Sequence, residues 1–186
     1  MNFGRSRHIC TAFILAAFFT IDICAQRWIK LGEGQQANIS GMALVSREDR
    51  VKKLIVVHDN KKKRQLRASI VTLTDGQTPT MTPLKWLDDD IPIDLEAVTA
   101  IPERSGEFIA FESVGRAYHV KLDVNAASVE VIRSFDVPMI PKGADFEAFS
   151  VQKIGGKLIA MWADRGASEV ARTSTRRSAP KRQAAA

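Results

Sequence analysis

The chain has 186 residues, 45% of them hydrophobic and 26% charged, with a formal charge of +6 and a pI near 9.5. That composition excludes a disordered or fibrous chain and fits one ordinary globular domain. A basic excess spread over a whole surface would point to nucleic acid or a membrane. Here it sits at the two ends: residues 1–25 carry +1, residues 167–186 carry +4, and the body between them is left with +1.

The first element reads as a secretory signal peptide over residues 1–25. Arg5, Arg7 and His8 make a positive head, Ile9 to Ile21 is an uncharged run of 13 residues, and Ile23-Cys24-Ala25 offers a cleavage site before Gln26. The run is shorter than the roughly 20 apolar residues of a membrane span, and Asp22 at its end disfavours an anchor. An uncleaved anchor and a buried helix are the alternatives. The expected location is secreted or periplasmic. Both cysteines, Cys10 and Cys24, lie inside this segment, so the processed chain would hold itself together by packing or a bound ion rather than by disulfides.

Strands follow in quick succession. Ser40–Val45 and Leu54–His58 flank a charged tip at Arg47-Glu48-Asp49-Arg50. Ala68–Leu73 alternates as a third strand after the basic turn Lys61-Lys62-Lys63-Arg64, and Asp75-Gly76 is a turn signal. Pro79–Leu87 is a fourth, outer strand or an irregular link, since prolines avoid central strands. Leu95–Ile101, Phe108–Glu112, Tyr118–Asp123 and Val129–Phe135 form a second set of four, with the turn Pro102-Glu103-Arg104-Ser105-Gly106 between the first two. Asp145–Phe149 and Leu158–Trp162, joined at Gly155-Gly156, begin a third. From residue 167 the text is Ala, Ser, Thr, Arg and Lys without apolar period and is expected to be a disordered basic tail.

The sets echo one another. Met42, Glu96 and Glu147 are 54 and 51 residues apart, and Leu54, Phe108 and Leu158 are 54 and 50 apart. A strand repeat of this period is the mark of a β-propeller. The expected fold is therefore all-β, a partial β-propeller of about 2.5–3 four-stranded antiparallel blades over residues 26–166, with a sandwich as the alternative. Propellers close with typically four to eight blades. The tail is then either a solvated end or the sign of an interrupted, truncated reading of a longer propeller.

Candidate site residues come from the same repeat. Asp94 with Glu96, and Asp145 with Glu147, are acidic doublets at the start of an inner strand, where residues two apart share a face. Two such doublets brought to one mouth could share a hard cation such as Ca²⁺ through oxygen ligands, and without one their repulsion would raise some pKa values. The alternative is that the acids bond backbone N–H groups at blade junctions. The corners after each second strand, His58-Asp59-Asn60, Glu112-Ser113 and Ala163-Asp164-Arg165, are second candidates around the mouth. His58 and His119 read as hydrogen-bonded structural histidines, and the Lys61–Arg64 run as a solvated loop tip or a phosphate contact. Asp88-Asp89-Asp90 lacks the spacing of an EF-hand loop, and Asn38-Ile39-Ser40 is a glycosylation sequon. No nucleophile elbow, phosphate-cradling glycine loop or zinc-protease motif occurs. Nor do aromatics interleave with the basic run, so no nucleic-acid partner is expected.

Asp94-Leu95-Glu96-Ala97-Val98, Glu107-Phe108-Ile109-Ala110-Phe111-Glu112 and Tyr118-His119-Val120-Lys121-Leu122-Asp123 resemble the blades of the phytase-like β-propeller family, which includes the esterase-like phytase relatives. The resemblance covers roughly residues 40–165 and is clearest in the second set. Ala97 and Ala148 stand where the family has glycine. It implies an exported six-bladed propeller with calcium at one face, binding a small phosphorylated or ester ligand and hydrolysing it with metal assistance. The residues it implies for the metal are Asp94, Glu96, Asp145 and Glu147, to which the corner reading adds Glu112; it assigns no nucleophile or base. A non-catalytic propeller that binds a ligand or protein is the competing expectation.

Overall fold

The computed structural model describes residues 28–165; the expected signal peptide and basic tail lie outside the described residues. Trp28–Lys30 are exposed, and the residues from Leu31 onward form a compact unit of their own. After a 3-10 turn at Gly34–Ala37, that unit contains ten strands: β1 Ile39–Glu48, β2 Val51–His58, β3 Ala68–Thr74, β4 Thr80–Trp86, β5 Leu95–Ala100, β6 Glu107–Glu112, β7 Arg116–Asp123, β8 Ser128–Asp136, β9 Phe146–Ile154 and β10 Lys157–Asp164. The described residues are all-β apart from that turn.

The turns are set by local chemistry. Asp49 (φ 42°) and the pair Gly155 (φ 57°) and Gly156 (φ 78°) take the left-handed conformation that tight hairpins demand. β4 contains Pro83 and is an outer strand: it pairs with β3 along its length but meets β8 only through Lys85 and Trp86. The nitrogen of Pro83 is therefore not asked to donate to a second neighbour.

Two antiparallel meanders, β1–β4 and β5–β8, are joined by that short parallel link into one sheet of order β1-β2-β3-β4-β8-β7-β6-β5. The link was not anticipated from the sequence; Lys85 N donates to Ala127 O at 2.9 Å and Leu87 N to Val129 O at 2.8 Å. At the other end of the order β1 and β5 lie against each other, so the sheet nearly closes on itself, like a barrel. The third unit, the hairpin β9–β10, is a separate two-stranded sheet whose β9 packs on β5.

Two apolar cores follow from this. One lies between the meanders and holds Ile55, Val57, Ile70, Leu95, Phe108 and Tyr118 among others. The other lies between the second meander and the hairpin, where Phe111 stands 4.6 Å from the Phe149 ring and 5.7 Å from Phe146. β6 serves both: Phe108 and Ala110 face the first core, Ile109 and Phe111 the second. That is why Phe108-Ile109-Ala110-Phe111 is continuously apolar instead of alternating.

Gly41 marks the closest approach. A Cβ there would meet Ala97 Cα at 2.8 Å and Val98 N at 2.9 Å, both backbone atoms that cannot swing away. Gly41→Val is expected to cost about 1–3 kcal/mol, as overpacking does, read as a lower urea midpoint with unchanged slope.

Candidate functional site

The three units begin in the same irregular way. β1 is out of register with β2 between Ile39 and Gly41, β5 with β6 between Leu95 and Ala97, and the β9–β10 ladder between Ala148 and Phe146. Each shift is a bulge, and the residues left without an opposite partner are Ser40, Glu96 and Glu147. Beside each bulge the next chain corner is closed by one backbone bond: Asp59 N to Asn38 O at 2.9 Å, Ser113 N to Asp94 O at 3.1 Å, Arg165 N to Asp145 O at 2.8 Å. Nine side chains are thus placed by one device used three times: Asn38, Asp94 and Asp145 before the bulge, Ser40, Glu96 and Glu147 on it, and Asp59, Ser113 and Arg165 at the corner. The equivalent of Glu96 in the first unit is therefore Ser40, two residues before the Met42 expected from spacing alone.

The inner strands stand side by side, Ser40 Oγ donating to Leu95 O across the β1–β5 gap and Phe146 N to Ser113 O at 2.8 Å toward the third unit. Asp59, Asp94 and Glu96 converge, each offering a carboxylate oxygen within 4.8 Å of the other two. Among the described residues no other three acids, histidines or cysteines meet so closely. Asp94 holds a positive φ of 65°, a conformation aspartate tolerates better than most residues. Ser113 Oγ donates to its Oδ2 at 2.8 Å, and Lys61 Nζ lies 3.1 Å from its Oδ1. Asp59 Oδ1 is buried without a hydrogen bond, its nearest cation being Lys61 Nζ at 3.9 Å. In the third unit Arg165 spans both acids, 3.2 Å from Asp145 and in contact with Glu147.

The electrostatics follow from crowding. Glu96 is pushed up to about 7, first by burial and then by the charges of Glu147, Asp94 and Asp59. Asp59 is raised chiefly by the hydrogen bond it gives Asp94, and then by burial. Asp94 goes the other way. Burial opposes its charge, yet hydrogen bonds from Asp59, Ser113 and Lys61 hold it below the usual carboxylate value. Within the pair, Asp59 is the carboxyl that takes a proton more readily and Asp94 the one whose charge is favoured. An all-oxygen donor set of this kind fits a hard divalent cation, which would replace the proton and the Lys61 ammonium.

Of the acids expected from sequence, Asp94 and Glu96 meet directly, Glu147 adds its charge to them, and Asp145 is tied to the same Arg165. Glu112 is not brought into the cluster. It is 5% exposed, and its Oε1 accepts from Ile93 N and, at 3.2 Å, from Tyr118 OH. Asp59, only a second-tier corner residue in the sequence, is central. Lys61, read as part of a loop tip, is its counter-ion. Aligning the corner residues Asp59, Ser113 and Arg165, which are 54 and 52 residues apart, is the signal that finds them. His58 is fully buried, bonded through Nε2 to Ser69 Oγ at 2.9 Å, with burial lowering its pKa. His119 bonds Glu107 at 2.7 Å.

Comparison of the chain with protein-family models, curated proteins and solved structures found no match.

Glu96 gives the site a pH signature. Its carboxyl titrates near 7 when folded against an ordinary value of 4.5, so the native state holds the proton more tightly. The resulting stabilisation is complete below pH 4.5 and is lost as pH rises through about 7. Glu96→Gln, neutral at every pH, is expected to flatten the decline of Tm over that window in a series of thermal melts.

Proposed function

We propose that the three units are blades of an exported, phytase-like β-propeller whose acidic mouth holds calcium, and that the parent activity is metal-assisted hydrolysis of a phosphate or other ester. The observation that carries this reading is the way each corner is closed. The bonds Asp59 N–Asn38 O, Ser113 N–Asp94 O and Arg165 N–Asp145 O run from main chain to main chain, so these three closures do not draw on the side chains of Asp59, Asp94, Glu96 or Glu147. The acids are left crowded together, with Glu96 pushed up to about 7 and Asp59 raised, a costly arrangement that the junctions alone do not require.

Asp59, Asp94, Glu96 and Glu147 would hold the cation, and Ser113 would orient Asp94. Bound there, calcium would neutralise the acids and polarise a phosphoryl oxygen. The chain's own part is to fix the carboxylates on rigid strand starts and to supply two cations nearby. Lys61, released from Asp94 and only lightly buried, would then be free to meet the charge of an anionic ligand. The inner-strand adjacency β1-β5-β9 and the two inter-unit cores are the arrangement expected of neighbouring blades. The signal-like segment 1–25 supports export. A non-catalytic, ligand-binding propeller is the second reading, favoured by the absence of any assignable nucleophile or base among these residues.

Calcium titration followed by calorimetry tests the site, and turnover of p-nitrophenyl phosphate tests the activity. Binding is expected to raise Tm, by about 2.7 kcal/mol of stabilisation at a hundredfold excess over Kd. Glu96→Gln and Glu147→Gln are each expected to weaken calcium at least tenfold and to abolish hydrolysis. Calcium binding without turnover would favour the binding reading, and no calcium binding would refute both metal-dependent roles.

A further inference from the structure

β10 is hydrogen-bonded on one side only. Its sheet has the order β10-β9, and no other described strand meets its far edge. In the other two units the equivalent edge is occupied: β3 pairs along β2 and β7 along β6, both antiparallel. Beneath the free edge of β10 lies an apolar pocket of about 230 Å³. Leu158, Ala160 and Trp162 of β10 form one wall, and His119, Arg133 and Phe135 of the second meander form the floor. It sits where a third strand's side chains would descend, just as Tyr118, Val120 and Leu122 of β7 descend into the first core.

The pocket also has a charge. Its ionisable lining is Arg104, His119 and Arg133. Glu107 engages the first two, at 3.2 and 2.7 Å. Arg133 lies over the Phe135 ring, 5.5 Å from its centroid, and pairs with no carboxylate of the described residues. Residues 167–186 do not match this surface: they carry five basic residues against Glu169 and few large apolar ones.

We propose that the β10 edge and this pocket bind an extended peptide segment of a partner protein by strand addition. The segment has large apolar side chains at alternate positions and a carboxylate that meets Arg133. Main-chain bonds to the edge give affinity, and alternate side chains entering the pocket give register. The site is independent of the acidic mouth and of calcium.

The test uses the full chain in calcium-free buffer and a capped, fluorescein-labelled octapeptide with the sequence of residues 116–123, read by anisotropy. Saturable binding is expected. It should be weakened at least about tenfold (about 1.4 kcal/mol) by Val120→Pro in the peptide, which removes a ladder donor. Ala160→Phe in the chain, filling the pocket at an exposed strand position, should weaken it equally with Tm unchanged; Leu158→Gln is the second variant should that one fail to fold. A peptide with Leu122→Glu should bind several-fold more tightly than the parent at low salt, and Arg133→Gln in the chain should erase that advantage. No saturable binding by either peptide would overturn the proposal, as would binding indifferent to Val120→Pro. A dimer of the chain in sedimentation that Ala160→Phe dissociates would overturn it in favour of a second copy.

Discussion

The close approach of β1, β5 and β9 at their first residues governs the rest of the molecule. Each bulge is followed by a small residue, Gly41, Ala97 or Ala148, and Gly41 leaves no room for a side chain against the Ala97 backbone. Strand starts held this tightly leave the side chains on the bulges with few directions to take. Glu96 shares a small volume with Asp94 and Asp59, the charge of Glu147 bears on it, and that charge has to be managed within the fold.

It is managed by three different means at three equivalent corners. Asp59 has its pKa raised, Ser113 contributes a neutral donor, and Arg165 contributes a positive charge, although the backbone bond beneath each is the same. The repeat is thus strict in its main chain and deliberately uneven in its electrostatics. Lys61, from a loop rather than a strand, supplies the remaining balance. The acids sit among groups that can leave, a proton and a flexible ammonium, which suits a site that exchanges one cation for another.

Much of the strand plan could be read from the chain because alternation and turn residues agree. Nine strands lie where apolar runs bounded by turn residues place them, with ends moved by up to five residues, and Pro79–Leu87, read as either an outer strand or an irregular link, forms β4. Bulges carry no such mark. An extra residue in a ladder changes register without changing composition, so spacing tied Met42 to Glu96 where the ladder ties Ser40. The parallel link between β4 and β8 was also illegible, since it needs only Lys85 and Trp86 and depends on how two meanders lean together. Glu112 looked like a mouth residue because it stands at the corner after a second strand. Its neighbours Tyr118 and Ile93 reach it only through tertiary packing, and they turn it into an internal acceptor. Asp59 stood only as a second candidate in a polar corner, and Lys61 was hidden in a basic run that reads as solvent-facing until the second unit is laid against it.

β6 has a role that neither core shows by itself. Its Phe108 and Ala110 belong to one apolar layer and its Ile109 and Phe111 to the other, with strands bonded on both sides. Any excursion that loosens one layer leaves the other to pin this strand, so its amides would open to solvent only when the whole unit comes apart. The molecule's slowest breathing is then set by six residues in its middle.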